Sequence, residues 1–308
     1  RCWQYALGGD CMVSIFQLGQ EKDTMADKLQ NAYSTCETIA RNASSSFFRS
    51  FRHLPTQKRQ AVNALYAFCR RVDDIVDGDW LPDRDLSHLR EQAKDRSIQL
   101  STDKQSEPLN PDLDHLSKLT ALLWFRTNLE AIENNETVDE PIFIALADVI
   151  KKFPVELDHL RELISGMEDD LYNNRYRSFD ELYVYCYRVA SVVGLMCIEI
   201  YGYEDPRAKK FAESWGIFMQ LTNVLRDVGE DIERDRVYLP LNELESNGIQ
   251  EKELDGKVVL NKNWEPYCKD YARRARTYLH EARQLLPLLP RRTRYSPAAM
   301  IAFYDKIL

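Results

Sequence analysis

An all-α fold is what this sequence predicts, and three observations carry that reading. Glycine and proline are scarce, 11 and 12 in 308 residues, whereas sandwiches, barrels and doubly wound sheets need many tight turns. No strand-turn-strand signature occurs, and no repeat of solenoid length recurs. Long stretches instead carry apolar residues at three- and four-residue spacing, the period of a helix with one buried face.

The elements follow in order. Residues 25–42 form the first periodic stretch. The twenty residues at the start (RCWQYALGGDCMVSIFQLGQ) lack the basic start, apolar centre and small-residue cleavage site of a signal peptide. They read as a variable or non-native extension up to about residue 23, leaving 24–308 as a single helical domain. A helix is expected over 56–78, entered after Pro55 and stopped by Gly78 with Pro82 beyond. Another spans 84–99. The stretch STDKQSEPLNPDL (101–113) is the most loop-like internal segment, and because the helical pattern resumes unchanged it reads as an insertion within one bundle. Helices then cover 111–134, 139–151, 155–174, 179–201, 205–234 and 264–286. The breaks fall at Pro111, Pro141, Pro154, Asp205-Pro206 and Pro240, with a surface excursion at 246–263.

At 44% hydrophobic and 29% charged residues the composition is that of an ordinary globular protein, which excludes collagenous and low-complexity chains. Lys+Arg total 41 against 49 Asp+Glu, a net charge of -8, and a general nucleic-acid binder would show the opposite balance. Seven scattered cysteines with no Cys-x-x-Cys pair fit neither a disulfide framework nor a zinc ribbon and point to a reducing compartment. The cytoplasm is the first expectation, with a plastid or other organelle open. The longest apolar run, Val189 to Ile200, is short for a membrane span and carries Glu199. Peripheral membrane contact stays open.

Two helices carry an anomaly. In AVNALYAFCRRVDDIVD (61–77) the surface is apolar nearly all round, yet Tyr66, Arg70, Asp73 and Asp77 form one stripe. In WGIFMQLTNVLRDVGED (215–231), Gln220, Asn223, Asp227 and Asp231 repeat the arrangement. A chain of this acidity holds about eight acid-x-x-x-acid pairs by chance, so spacing alone signals a solvated face. Burial changes the weighing, because several desolvated carboxylates need cations. Arg70 and Arg226 supply part of that compensation. The rest suits Mg²⁺ (or Mn²⁺), which takes one or two carboxylates, retained waters and phosphate oxygens. All five histidines (53, 88, 115, 159, 280) lie away from the stripes, which disfavours zinc or iron. Phe47, Phe48, Phe51, Tyr66, Tyr183, Tyr185 and Tyr187 stand near the stripes, as core or as faces for a carbocation.

The stretches SSSFFRSFRHLP…ALYAFCRRVDDIVDG, YCYRVASVVG and QLTNVLRDVGEDIERDRVYLP together resemble the three signature regions of the squalene/phytoene synthase family, over about residues 30–304. The second acid motif resembles phytoene synthases more than eukaryotic squalene synthases. The resemblance implies an isoprenoid-synthase helical bundle around a central cavity, and head-to-head joining of two prenyl diphosphates. It implies Asp73, Asp77, Asp227 and Asp231, with Asn223, as Mg²⁺ ligands, and Asp74 facing elsewhere. Arg70, Arg226 and Tyr238 match diphosphate-binding residues. Phe47, Phe51, Tyr66 and Tyr185 match the prenyl channel and cation site, Gln220 lines the pocket, and Asp170 is an acid on a neighbouring helix. Asn63 stands where related enzymes often carry Trp, and Ala43 where some carry His; the first bears on chain length as a channel-floor residue.

The reaction so implied ionises one prenyl diphosphate, and the double bond of the second attacks the allylic cation to give a cyclopropylcarbinyl diphosphate. A second ionisation and rearrangement end in proton loss, or in hydride transfer from NADPH if the product is squalene. Two geranylgeranyl diphosphates giving phytoene is the first expectation, farnesyl diphosphate giving presqualene diphosphate, dehydrosqualene or squalene the second. A non-catalytic assembly factor and a chain-elongating or cyclising terpene synthase are the other classes, disfavoured by the intact acids and by the family motifs respectively.

Overall fold

The computed structural model describes residues 9–43, 46–103, 113–254 and 261–308. Most of the expected insertion at 101–113, and residues 255–260 of the expected excursion, lie outside them. Among the described residues the regular structure is helical, with a lone bridge between Arg175 and Val237.

The first helix, α1 (Gly9–Asn42), begins well before residue 25. α2 (Ser46–Phe51) leads into α3 (Thr56–Asp77), which ends where Gly78, at φ 82°, turns its N–H back to Asp74 and Ile75 carbonyls in a conformation glycine adopts freely. α4 (Arg90–Asp103), α5 (Leu113–Glu133), α6 (Pro141–Lys152, with proline at its first turn) and α7 (Leu157–Asp169) follow. α8 (Phe179–Cys186) is capped by Ser178, whose side chain accepts from the Glu181 N–H. A π-helical turn at Tyr187–Ser191 then carries the chain into α9 (Val192–Tyr201).

The expected helix at 205–234 is two. Asp227 leaves the helical basin at φ -98°, ψ 9° and separates α10 (Arg207–Arg226) from α11 (Val228–Glu233). After α12 (Leu241–Ser246), the expected final helix divides into α13 (Trp264–Arg283) and α14 (Leu285–Leu288). A helix absent from the sequence reading, α15 (Tyr295–Ile307), completes the bundle.

α3 sits at the centre, contacting α1, α2, α5, α6, α7 and α9. α10 packs against α13, α15, α9 and the π turn. The larger core runs from Ala32 to Tyr304 and includes Phe68, Phe125, Leu146, Ile198 and Phe218, all fully buried. A second gathers Tyr176, Leu182, Leu221, Leu239 and Tyr271 around α8, α10 and α13. Joined through the π turn, Phe179–Tyr201 is one helix long and apolar enough to cross a membrane, reaching further than the apolar run Val189 to Ile200 on which the sequence reading rested; 61% of its most apolar window is buried inside the protein, the burial of a core helix. Cys36, Cys69, Cys186, Cys197 and Cys268 are free thiols.

Close approaches at glycines of α9 and α10 fix the geometry around the π turn. A Cβ on Gly216 would stand 2.4 Å from the Ser191 Cα and 2.6 Å from the Ala190 carbonyl carbon. A Cβ on Gly194 would stand 2.7 Å from the Ala212 carbonyl oxygen. Hydrogen at both positions lets α10 lie against the wide turn.

Candidate active site

Two cavities meet at the middle of the bundle. The polar one, about 460 Å³, is walled by Asp73, Asp77, Asp170, Asp227, Glu230 and Asp231, with Arg70, Arg226, Arg234 and Arg236 among them and Tyr185 and Tyr238 at one side. The apolar one, about 200 Å³, runs between α3, α9, α10 and α15, past Tyr66, Leu65, Val62, Val193, Trp215 and Met300 to Tyr201. Phe47, Val189, Gln220 and Asn223 belong to both walls.

The sequence-predicted stripes therefore converge. They face an open cavity rather than a sealed core, and the Asp73 side chain keeps 41% of its exposure. Arginines hold three of the acids. Asp77 accepts from Arg234 at 2.8 Å and Arg236 at 3.1 Å, and Asp227 is gripped by its neighbour Arg226. Arg70 divides itself between Asp73, at 3.2 Å, and Asp74, at 2.6 Å. Asp74 is buried, takes Arg71 as well, and so points away from the cavity as expected, with Arg71 lying over Trp80.

Asp73 is half-open to the cavity yet crowded by the protein around it; this loss of hydration, and then the neighbouring Asp77, push it up to about 6. Burial and Asp227 push Asp231 to about 7. The Asn223 amide donates to Gln220, while its buried Oδ1 has no partner. Among the described residues no three acids, histidines or cysteines close tightly enough to cage an ion. The donors nevertheless fit Mg²⁺, since they are oxygens only, openly spaced, mutually repelling and accompanied by an unclaimed carbonyl oxygen.

Asp170, at the end of α7, accepts from Tyr185 at 2.8 Å and Tyr238 at 3.0 Å, and these two rings stack at 5.1 Å. Burial raises its pKa to about 7. A carboxyl raised above its unfolded value of about 3.9 keeps a proton that the unfolded chain has lost. Its contribution to stability therefore falls as pH rises from about 4 to about 7. The melting temperature of the wild type relative to Asp170→Asn should decline across that window; a difference flat with pH would mean Asp170 is ionised throughout.

Three expectations need correction. Tyr183 bonds Glu213, and neither it nor Tyr187 lines the acid cavity, so only Tyr185 of that run faces the acids. Two residues along a helix turn about 200°, so Tyr183 and Tyr187 share the side opposite Tyr185. Asn63 is not among the residues lining the apolar cavity, although it is buried to 2% exposure. Three residues along a helix turn about 300°, so Asn63 stands roughly 60° round from Tyr66, while Val62 and Leu65 flank the wall. Lastly, Glu230, Arg234 and Arg236 join the wall although the sequence reading did not single them out: on a helix through 205–234 Glu230 stands about 20° from Asn223 and Arg234 between Asn223 and Asp227, so the stripe itself held both, whereas Arg236 lies past that helix and is brought back by the turn at Asp235, φ 58°.

The wall position gives a test of chain length. Val62→Phe should shift preference from the longer to the shorter prenyl donor by roughly 10–200-fold in a competition of the two. Asn63→Trp should instead lower the melting temperature by overpacking. An unchanged product ratio in active Val62→Phe would take Val62 off the path of the chain.

The family model for squalene/phytoene synthase matches residues 40–308. The chain belongs to the squalene/phytoene synthase family. It is a prenyltransferase-type enzyme of the head-to-head class. Phytoene synthase 2, chloroplastic, of Solanum lycopersicum is 34% identical over 287 residues, covering 91% of this chain and 81% of that protein. Phytoene synthase 1, chloroplastic, of Arabidopsis thaliana is 33% identical over 91% of this chain, which spans 60% of its length. Among solved structures, a dehydrosqualene synthase in complex with ligand superposes with a TM-score of 0.74 at 26% identity, covering 92% of this chain and 86% of that one. A squalene synthase from Alicyclobacillus acidocaldarius shares the fold, with a TM-score of 0.72 at 20% identity, covering 91% and 92%. Within the family frame the three signature stretches bound the two cavities: the first supplies Phe47, Phe51 and α3, the second the π turn, and the third α10, α11 and Tyr238.

Proposed function

We propose that the protein condenses two geranylgeranyl diphosphates to phytoene through a cyclopropyl (prephytoene) diphosphate. One observation carries the reading: an acid- and arginine-walled cavity opens directly onto an apolar one at Phe47, Val189, Gln220 and Asn223. A diphosphate belongs in the first and a prenyl tail in the second. Their junction is then where the allylic carbon lies.

Asp73, Asp77, Asp227 and Asp231, with Asn223 Oδ1, would hold Mg²⁺ or Mn²⁺, which when bound neutralises charge on the departing diphosphate. Arg70, Arg226, Arg234 and Arg236 bind the diphosphate oxygens, exchanging their carboxylate partners for the ligand. Phe47 and Phe51 stand 5.9 and 6.2 Å from the ring of Tyr66, and this aromatic group offers its faces to the cation. Tyr185 and Tyr238, fixed by Asp170, wall the diphosphate side. The apolar lining keeps out water, which would capture the cation as an alcohol. NADPH enters only if squalene is made. The chloroplastic relatives favour a plastid as the compartment.

The test is to chromatograph the hydrocarbon formed from geranylgeranyl and from farnesyl diphosphate, with Mg²⁺ and with or without NADPH. Phytoene without reductant is expected. A thirty-carbon product as the main one would overturn the chain length. No product from either would return the chain to the assembly-factor reading.

A further inference from the structure

The outward surface of α2 and α15 differs from the rest of this acidic protein. On α15 the inward residues Met300 and Tyr304 are buried, Met300 lining the apolar cavity and Tyr304 meeting Phe47 at 6.4 Å. The opposite face shows Tyr295 at 55% exposure and Phe303 at 45%, with Ala302 and Lys306 exposed beside them. Its acid, Asp305, is turned aside to Arg283 at 2.7 Å. α2 is built the same way: Phe51 lines the cavity while Arg49 and, just past the helix end, Arg52 and His53 are exposed. The two elements form one surface, because Ser50 and Ser296 share a hydrogen bond of 3.0 Å and the His53 ring meets Tyr295 at 4.8 Å. Arg291 and Arg292, also exposed, border it.

We propose that this face docks on an anionic lipid bilayer. Arg49, Arg52, Arg291, Arg292 and Lys306 make no ion pair among the described residues, in a chain whose net charge is -8. An anionic surface repels the molecule as a whole and attracts it here, which sets its orientation. The exposed tyrosine and phenylalanine between the cations suit the headgroup boundary. A second copy is a poor occupant, since a two-fold contact would set like charges against each other. The inference rests on the reading of the function above: the elements that carry this face on the outside form the cavity wall on the inside, so a hydrocarbon leaving between them enters lipid without crossing water.

The experiment is flotation of the full chain with phosphatidylcholine vesicles, with and without roughly a third phosphatidylglycerol, over a salt series. Binding to the anionic vesicles alone, weakened by salt, is expected. Arg52→Gln/Arg291→Gln/Arg292→Gln should lower it by about ten-fold or more, and Phe303→Ser should weaken it, with melting temperature kept; Lys252→Gln, exposed elsewhere, should change nothing. Equal binding to neutral vesicles, no binding, indifference to the face variants, or a dimer that the same variants dissolve would each overturn the proposal. Hydrocarbon formation is measured in parallel in detergent. Product without vesicle binding removes the docking face and leaves the function, whereas binding without product removes the function and leaves a docking surface with no cargo.

Discussion

Replacing Asp73 or Asp231 by Asn will lower product formation by about 100–1,000-fold or more, and will leave the melting temperature of the metal-free protein unchanged or higher. The two halves of that result have one cause. Both carboxyls are pushed up, to about 6 and about 7, by burial and by a neighbouring aspartate. Each therefore costs folding energy in the empty protein, and the neutral amide relieves the repulsion. Asp77→Asn is expected to behave differently, since it strips Arg234 and Arg236 of the carboxylate that pairs them and should lower the melting temperature. Turnover and thermal melting of the three variants decide the matter. Near-normal turnover in Asp73→Asn would remove that residue from the diphosphate site.

Gly216→Ala will be strongly destabilising, its added methyl making the closest approach among the described glycines. Its new carbon would lie 2.4 Å from the Ser191 Cα and 2.5 Å from the Ser191 nitrogen, backbone that cannot swing aside as a side chain does. Overpacking of this kind costs about 3 kcal/mol, a fall of roughly 6–12 °C for a chain of this size. Activity should fall with it, because Val189 and Ala190 of the displaced turn line the cavities. Gly229→Ala is the control: nothing lies within 4 Å of its added carbon, so helix propensity predicts a neutral or stabilising change of up to about 1 kcal/mol. Equal melting of Gly216→Ala and wild type would mean that α10 and the π turn are not held in contact.

How much of this was legible in the sequence depends on whether a local period was preserved. α3 keeps an unbroken helical period from Thr56 to Asp77, and the stripe read from it is the stripe that faces the cavity. Where the period breaks, the reading slipped. The π turn at Tyr187–Ser191 shifts the residues after it relative to Tyr183 and Tyr185, and in YCYRVASVVG only Gly194 accompanies it, with Gly216 on the facing helix. Glu230 and Arg234 continue the stripe of Asn223 and Asp227 and were legible from it, whereas Arg236 reaches the site through the turn at Asp235, φ 58°, which no proline or glycine marks. α15 was overlooked because its outward face is apolar, which blurs the amphipathic period. The ring of tyrosines on Asp170 depends on the 237–239 segment lying beside Asn174 and Tyr176, a tertiary juxtaposition with no sequence signal.

The two cavities share four residues and little else. The chemistry of bond breaking and the selection of the tail are thereby carried by separable sets of side chains, so the protein can be retuned in one respect without disturbing the other. Changes at Val62, Leu65 or Trp215 act on which hydrocarbon is made, and changes at Asp73 or Arg236 on whether one is made at all. A lineage or an engineer moving between thirty- and forty-carbon products would then find the substitutions clustered in the apolar wall, with Phe47, Val189, Gln220 and Asn223 as the positions where an alteration is felt on both sides.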